Sequence, residues 1–420
     1  MKLRHLGPGI LLAATSVGAS HILMSPEAGA RFEYRLVWLV LLVHVLKYPA
    51  FEFAPRYVAA RGESLLEAYA RAPGPRHWAL WMGLVDMVLQ AVGVLAALIG
   101  LTASFLVAAV GRFSLPGWSL LLALALLAAL SWGRYASLRA VNLLLMLALA
   151  LGTLVAFAAA PPPLASLGEM LRPELPAGSI VLVAAILGYM PTSVAVSIWQ
   201  SLWALEQGRF RPERDEESRT TRLANGLFDL RLGYLLSAVL AVAFVCLGGR
   251  LLHPLGLVPE GPQVALTLSR LYTEVLGPWM EPVFLTMAFF ALLTTCYTSM
   301  DGFPRTFVAA LRVLRGEPAA ASGAETSRLY WPFLLLATFG GMVLLALVPD
   351  PPQVVKGVGA FGLLFSPVYF SLNLWAVTRG LDDDAFRPPK WMIALSLAGI
   401  ALLVLAGALL IGTFFLPATP

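Results

Sequence analysis

Runs of about twenty predominantly apolar residues recur along this chain, each long enough to cross the hydrocarbon of a bilayer as a helix. Eleven such spans are expected, at about 7–32, 36–59, 79–109, 116–133, 139–160, 179–205, 232–252, 280–302, 330–348, 355–378 and 391–416. Only 13% of the 420 residues are charged and mean hydropathy is +0.79, whereas a soluble globular chain carries about 25% charged residues. The chain therefore reads as one all-α transmembrane domain over 1–420. The first apolar run is followed by further spans and lacks a small-residue cleavage site, so it is not expected to be a secretory signal.

With the N-terminus inside, the inside segments hold 20 of the 29 Lys and Arg and the outside segments seven. By the positive-inside rule the N-terminus is expected in the cytoplasm and the C-terminus outside, in a plasma or inner membrane. The net charge of +5 is then a matter of topology, and no nucleic-acid partner is expected. Cys246 and Cys296 lie inside apolar runs, where neither a disulfide nor a metal cluster is expected. The mixed-charge segments 206–231 and 303–329 read as cytoplasmic loop and short helix. The segment 253–279 carries apolar residues at three- and four-residue spacing and reads as an amphipathic helix on the outer face.

Two spans are interrupted. The first, GPGILLAATSVGASHILMSPEAGARFEY over 7–34, loses its large apolar residues through Thr15, Ser16, Val17, Gly18, Ala19, Ser20 and His21. Freed backbone groups at that depth need a protein-lined cavity, so an unwound helix at a substrate site is expected. The sixth span repeats the feature at Gly188-Tyr189-Met190-Pro191-Thr192-Ser193, where proline removes a donor and clashes with the preceding turn. A kink at Pro191 and close packing at Gly18 would explain each alone. Two breaks, each opening a block of five spans, point instead to a 5+5 inverted-repeat transporter working by alternating access. The repeats would cover about 7–160 and 179–378, with 391–416 added. Candidate substrate-binding residues are Thr15, Ser16, Gly18, Ala19, Ser20 and His21 from the first break. Gly188, Tyr189, Met190, Thr192 and Ser193 come from the second.

At these residues the chain resembles the Nramp metal-ion transporters, which have a LeuT-like fold. Gly7-Pro8-Gly9 and Ala28-Gly29-Ala30 match the start and end of that family's first helix. Leu175-Pro176-Ala177-Gly178-Ser179 and Met190-Pro191 match the approach to its sixth helix and part of its Met-Pro-His motif. The resemblance implies the fold and a secondary transporter. It also implies a metal site from which this chain departs: the family's Asp-Pro-Gly-Asn falls on Gly18, Ala19, Ser20 and His21, and its histidine after Met-Pro on Thr192. Of the family's side-chain metal ligands only Met190 remains. His21 and Met190 with backbone carbonyls would make a neutral, soft site, poor for Mn²⁺ or Mg²⁺. A half-helix beginning near Ser20 and His21 would turn its N–H groups toward the cavity and suit an anion. Thr192 and Ser193 would add hydroxyl donors. The expected cargo is a small anion of bicarbonate or short-carboxylate type, or a polar solute, with a divalent metal as the alternative.

The second span carries His44, Lys47, Glu52 and Arg56 in an apolar stretch. Charges within spans are costly and face protein or water. Glu52 and Arg56, four apart, read first as a structural ion pair. Lys47 has no partner in its own helix. It is expected to pair with Asp86, to neutralise an anion or to carry protons. His21 reads equally as a hydrogen-bonded structural imidazole and as a proton relay. His44, Lys47, Glu52 and Asp86 are the candidate coupling or proton-path residues. The hydroxyl-rich turn Thr294–Ser299 reads as helix packing ahead of a hydrated path, and Asn373 as a residue of the cytoplasmic vestibule. A channel would need a filter or charged ring repeated by symmetry. An enzyme would need a nucleophile–base pair or a metal motif, and HExxH, GxSxG and CxxC are absent. No cofactor is expected, and the coupling ion would be H⁺ or Na⁺.

Overall fold

The computed structural model describes residues 18–132, 135–206, 219–319 and 327–415, and every regular element among them is helical. A π-helical turn, Ser20–Met24, leads into α1 (Ser25–Phe32). There follow α2 (Val37–Arg61), the short α3 (Leu65–Ala70), α4 (Trp78–Val110), α5 (Leu115–Ser131), α6 (Tyr135–Ala159) and the short α7 (Leu167–Leu171). The second half holds α8 (Ile180–Tyr189), α9 (Val196–Glu206), α10 (Arg219–Leu247), α11 (Val264–Leu276), α12 (Met280–Leu314), α13 (Tyr330–Leu347), α14 (Pro351–Arg379) and α15 (Lys390–Phe415).

Helix boundaries follow local chemistry. Glycines in left-handed conformation stop α2 at Gly62 (φ 68°) and α4 at Gly111 (φ 66°), each N–H returning to a carbonyl four residues earlier. A capping box between Ser64 and Glu67 starts α3. Among the described residues seven helices, α2, α4, α10 and α12–α15, are long and apolar enough to cross a membrane. The other expected spans fall short of that test for identifiable reasons. The first is described only from residue 18, the sixth is split into α8 and α9, and α5 has 17 residues. The fifth turns by 106° between Leu144–Ala159 and Leu164–Leu171.

Two boundaries differ from expectation. Residues 303–314 were expected in a polar segment, yet α12 continues through Pro304 to Leu314, because Val308, Ala309, Ala310 and Val313 bury one helical face. Likewise α10 starts at Arg219, where Leu223, Leu227 and Leu230 are buried at three- and four-residue spacing. The expected amphipathic helix is α11. Its apolar face, with Val264, Leu268, Leu271 and Tyr272 fully buried, packs on protein against α12 and α6.

The spans assemble around α4, the most enclosed, with α15 the least enclosed. Helix α4 packs on α12, α13 and α14, α14 packs on α8 and α15, and α2 on α9 and α10. Leu336, Val343, Leu405 and Leu409 face outward from α13 and α15, as a hydrocarbon solvent requires. Glycines set the closest approaches. A Cβ on Gly29 would lie 2.0 Å from the Val245 carbonyl, and one on Gly188 2.0 Å from the Gly359 carbonyl. These contacts seat α1 against the end of α10, and the end of α8 against α14.

Gly188→Val is therefore expected to force α8 off α14 and to lower the unfolding temperature in detergent, at a cost of at least about 1–3 kcal/mol. Gly226→Ala, on α10 with nothing within 4 Å of the added carbon, is expected to be neutral or stabilising by about 0.5–1 kcal/mol.

Candidate functional site

Between α8 and α9 the chain runs through 190–195 without regular structure, so the expected break at Met190-Pro191 is present. The corresponding stretch of the first span, including Thr15 and Ser16, lies outside the described residues. From Gly18 onward that span is already winding, with the N–H groups of His21 and Ile22 both donating to the Gly18 carbonyl.

A cavity of about 100 Å³ lies where these elements meet α4, α12 and α14. One water needs about 10–15 Å³, so there is room for a small solute or several waters. Its polar wall includes Ser20, Asp86, Gln90, Tyr189, Thr192, Ser193, Thr295, Thr298, Ser299, Thr306 and Tyr369, and its apolar wall includes Val94, Leu98, Trp199, Phe303, Val355 and Val358. Of the expected substrate residues, Gly18, Ala19, Ser20, Tyr189, Thr192 and Ser193 line it. The hydroxyls of Thr295, Thr298 and Ser299 were expected chiefly as packing and also line it. Their i, i+3, i+4 spacing was the available signal for a shared face.

Three expected residues turn elsewhere. His21 is fully buried and points at α10. Its Nε2 lies 3.1 Å from the Ser237 carbonyl and 2.9 Å from Ser237 Oγ, and its Nδ1 lies 3.0 Å from Ser20 Oγ. Nε2–H donating to the carbonyl and Nδ1 accepting from Ser20 uses both ring nitrogens for structure. Met190 is fully buried outside the lining, and Gly188 is spent on the α14 contact. His21 and Met190 thus do not converge on the cavity as a metal pair. Among the described residues no cluster of three or more His, Cys, Asp or Glu is placed to hold a metal.

Lys47 is the main surprise of the site. Its expected pairing with Asp86 is replaced by contacts in the break. From α2 the ammonium reaches four backbone carbonyls, those of Leu187 (3.1 Å), Gly188 (3.1 Å), Met190 (3.0 Å) and Thr192 (2.9 Å). The first two are orphan carbonyls of the last turn of α8, where the helix dipole favours a cation. With the side chain 1% exposed, desolvation would cost several kcal/mol were these acceptors absent.

Asp86 faces the cavity from α4. Tyr369 donates to its Oδ2 at 2.7 Å, while Oδ1 has no hydrogen-bond partner among the described residues. Beside it, Tyr189 donates to Gln90 Oε1 at 2.8 Å. The remaining coupling candidates lie away from the cavity. Arg56 donates to Glu52 from Nε at 2.9 Å, Tyr48 donates to the same carboxylate, and Arg231 of α10 approaches at 3.4 Å. The ion-pair reading of Glu52 and Arg56 is the one the geometry matches. His44 Nδ1 lies 2.7 Å from the Val40 carbonyl and Nε2 3.4 Å from Ser237 Oγ, with its ring edge-on to His21 at 6.2 Å.

Clasps lie on either side of the cavity. Fully buried Glu27 receives Arg31 Nε at 2.8 Å and Lys356 Nζ at 2.7 Å, and both cations also reach Glu260. This ties α1 to α14 and to the segment before α11. Sequence reading missed this network, though the Glu27–Arg31 spacing of four was its visible half. At the other end, buried Asn373 accepts from Tyr69 at 2.6 Å. It donates to the Ala50 carbonyl at 3.1 Å and to Ser197 Oγ at 2.8 Å. It is therefore a clasp joining α2, α3, α9 and α14, not an open vestibule residue.

Glu52→Ala would leave Arg56, 10% exposed, without its carboxylate. It is expected to cost about 3 kcal/mol or more in unfolding free energy, while the KM of the folded fraction stays unchanged. A wild-type unfolding curve combined with lost coupling would instead assign Glu52 to the transport cycle.

The family model described as "Natural resistance-associated macrophage protein-like" (Nramp) matches residues 9–413. An uncharacterized protein of Pasteurella multocida is 27% identical over 407 residues, covering 90% of this chain and 86% of that one. The divalent metal cation transporter MntH of Yersinia pestis is 27% identical over 272 residues, 60% of each chain. Among solved structures, a manganese transporter of Eremococcus coleocola superposes with TM-score 0.70 at 14% identity, covering 99% of this chain and 88% of that one. Mhp1, a nucleobase-cation-symport-1 transporter, superposes with TM-score 0.58 at 14% identity over 97% and 93%. These two likenesses share the LeuT-like fold with this chain. An integral membrane protein with this fold, matched by the family model over nearly its whole length, is a secondary transporter, and the chain belongs to the Nramp family.

Proposed function

We propose that this Nramp-family transporter carries a small anion of short-carboxylate or bicarbonate type by alternating access, with H⁺ as the coupling ion. The observation that carries this reading is the placement of Lys47. The charge fixed at the break is positive, and it takes the backbone carbonyls that would otherwise be oxygen ligands for a metal. Hard divalent ions want several carboxylate oxygens, and the cavity wall offers one carboxylate, Asp86.

Donors are in better supply. The backbone N–H groups of Thr192, Ser193 and Val194, at the entry to α9, make no backbone hydrogen bond among the described residues. A helix N-terminus with free N–H groups favours negative charge. Hydroxyls of Ser20, Thr192, Ser193 and Thr298 surround the same space. The apolar wall of Val94, Leu98, Val355 and Val358 suits a carboxylate that bears a short hydrocarbon part over one that bears none.

Asp86 supplies the coupling. A carboxylate buried as deeply as Asp86 is costly while charged, and beside an anion its charge is repulsive. A proton on Oδ1 removes both penalties, so cargo and proton bind together. Rocking of the helices around the α8–α9 break, with the Glu27 and Asn373 clasps opening alternately, would move them across. The N-terminus is placed in the cytoplasm on the distribution of Lys and Arg. A divalent metal is the second reading, favoured by the names of the MntH relatives and of the manganese transporter that shares the fold.

Proteoliposomes test this. Labelled acetate, lactate or bicarbonate is expected to accumulate under a proton gradient directed toward the labelled compartment, with saturation, while Mn²⁺ is ignored. Asp86→Asn is expected to retain saturable exchange and to lose the response to the gradient. Saturable Mn²⁺ uptake with no anion flux would overturn the proposal.

A further inference from the structure

The carbonyl cage around Lys47 has a meaning that does not depend on the cargo. Four oxygens, two from the end of α8 and two from the linker that follows it, lie at 2.9–3.1 Å from the Lys47 ammonium. Converging carbonyls at a half-helix end are the arrangement by which transporters and channels hold desolvated cations. These distances exceed the roughly 2.0–2.6 Å that Mg²⁺ and Ca²⁺ demand, so the cage as built suits a larger monovalent cation. We propose that Lys47 is a tethered monovalent cation, covalently filling a cation site that the break creates, so that the carrier needs no alkali-metal ion to hold its site together.

The geometry supports each part. Leu187 and Gly188 belong to α8, and Met190 and Thr192 to the linker, so the ammonium pins the end of α8 and the linker to α2. Three N–H donors meet four acceptors, and the side chain is 1% exposed, so one oxygen always shares a donor and water has no room to enter. Among the described residues the groups nearest the cage are neutral or remote. His44 is one turn back on α2 and bonded to Val40 and Ser237, and Glu52 is held by Arg56, Tyr48 and Arg231. The ammonium therefore depends on the backbone alone for its compensation. Freed of the side chain, the same four oxygens form an empty cage, and each carbonyl left without a donor in a buried site is destabilising.

The test is ion replacement in the full-length protein. Wild-type unfolding temperature in detergent is expected to be the same in Na⁺, K⁺, NH₄⁺ and N-methylglucamine chloride at equal ionic strength. Lys47→Ala is expected to unfold earlier in N-methylglucamine. It should recover with NH₄⁺, methylammonium or K⁺ in a saturable way, as mass action on a vacated site requires. Lys47→Met, which keeps the stem and blocks entry, is expected to show no such recovery. In vesicles Lys47→Ala should lose uptake by more than about tenfold, from several unsatisfied carbonyls, and regain it with methylammonium.

Wild-type protein stabilised specifically by Na⁺ or K⁺ would overturn the proposal, as would a folded Lys47→Ala indifferent to cation identity. Should that variant fail to fold in every salt, the wild-type ion replacement still decides. The unfolding measurements need no cargo, so they fail or succeed separately from the anion reading.

Discussion

The contact on which the rest of the site depends is the one between the Lys47 ammonium and the carbonyls of the broken sixth span. Proline at 191 and the residues around it end α8 in mid-protein, leaving backbone oxygens in a place that water cannot satisfy. A lysine from α2 supplies the missing donors at the negative end of the α8 dipole, where a cation is favoured. Once that contact is fixed, other features follow. The linker carbonyls of Met190 and Thr192 face Lys47, and the N–H groups of 192–194 make no backbone hydrogen bond among the described residues. The cavity wall carries the hydroxyls of Ser20, Thr192, Ser193 and Thr298, with Asp86 as a carboxylate among them.

Helix α14 works as the strut that relates this cavity to both ends of the molecule. Lys356 and Asn373 lie about 25 Å apart along its axis, one in the Glu27 clasp and the other in the Tyr69 clasp. Between them Tyr369 holds Asp86, and Gly359 admits the end of α8. In the proposed cycle, a change of protonation at Asp86 would act through Tyr369 on the helix that carries both clasps.

The fold was largely legible because its signals are local and strong: apolar length for the spans and proline for the sixth break. The Glu52–Arg56 pair was legible for the same reason, as a spacing of four on one helix. What failed depended on direction and not on spacing. A histidine in an interrupted span can point into a cavity or away from it, and the Ser237 carbonyl of α10, more than 200 positions away, decides that His21 points away. Lys47 was recognised as unpaired within its helix, but its true partners are backbone oxygens, which carry no side-chain signature. The cavity-lining hydroxyls of α12 were discounted because small polar residues also serve packing, and only the packed neighbours distinguish the two uses. Asn373 was misplaced because its partners come from three separate helices.

The proposal that the cavity takes a small anion together with a proton is tested most directly by calorimetric titration of the purified protein. A saturable heat with short carboxylates that strengthens as pH falls, with none from Mn²⁺, is the predicted result, because a proton on Asp86 accompanies the anion. Saturable Mn²⁺ binding that weakens as pH falls, with carboxylates silent, would contradict it.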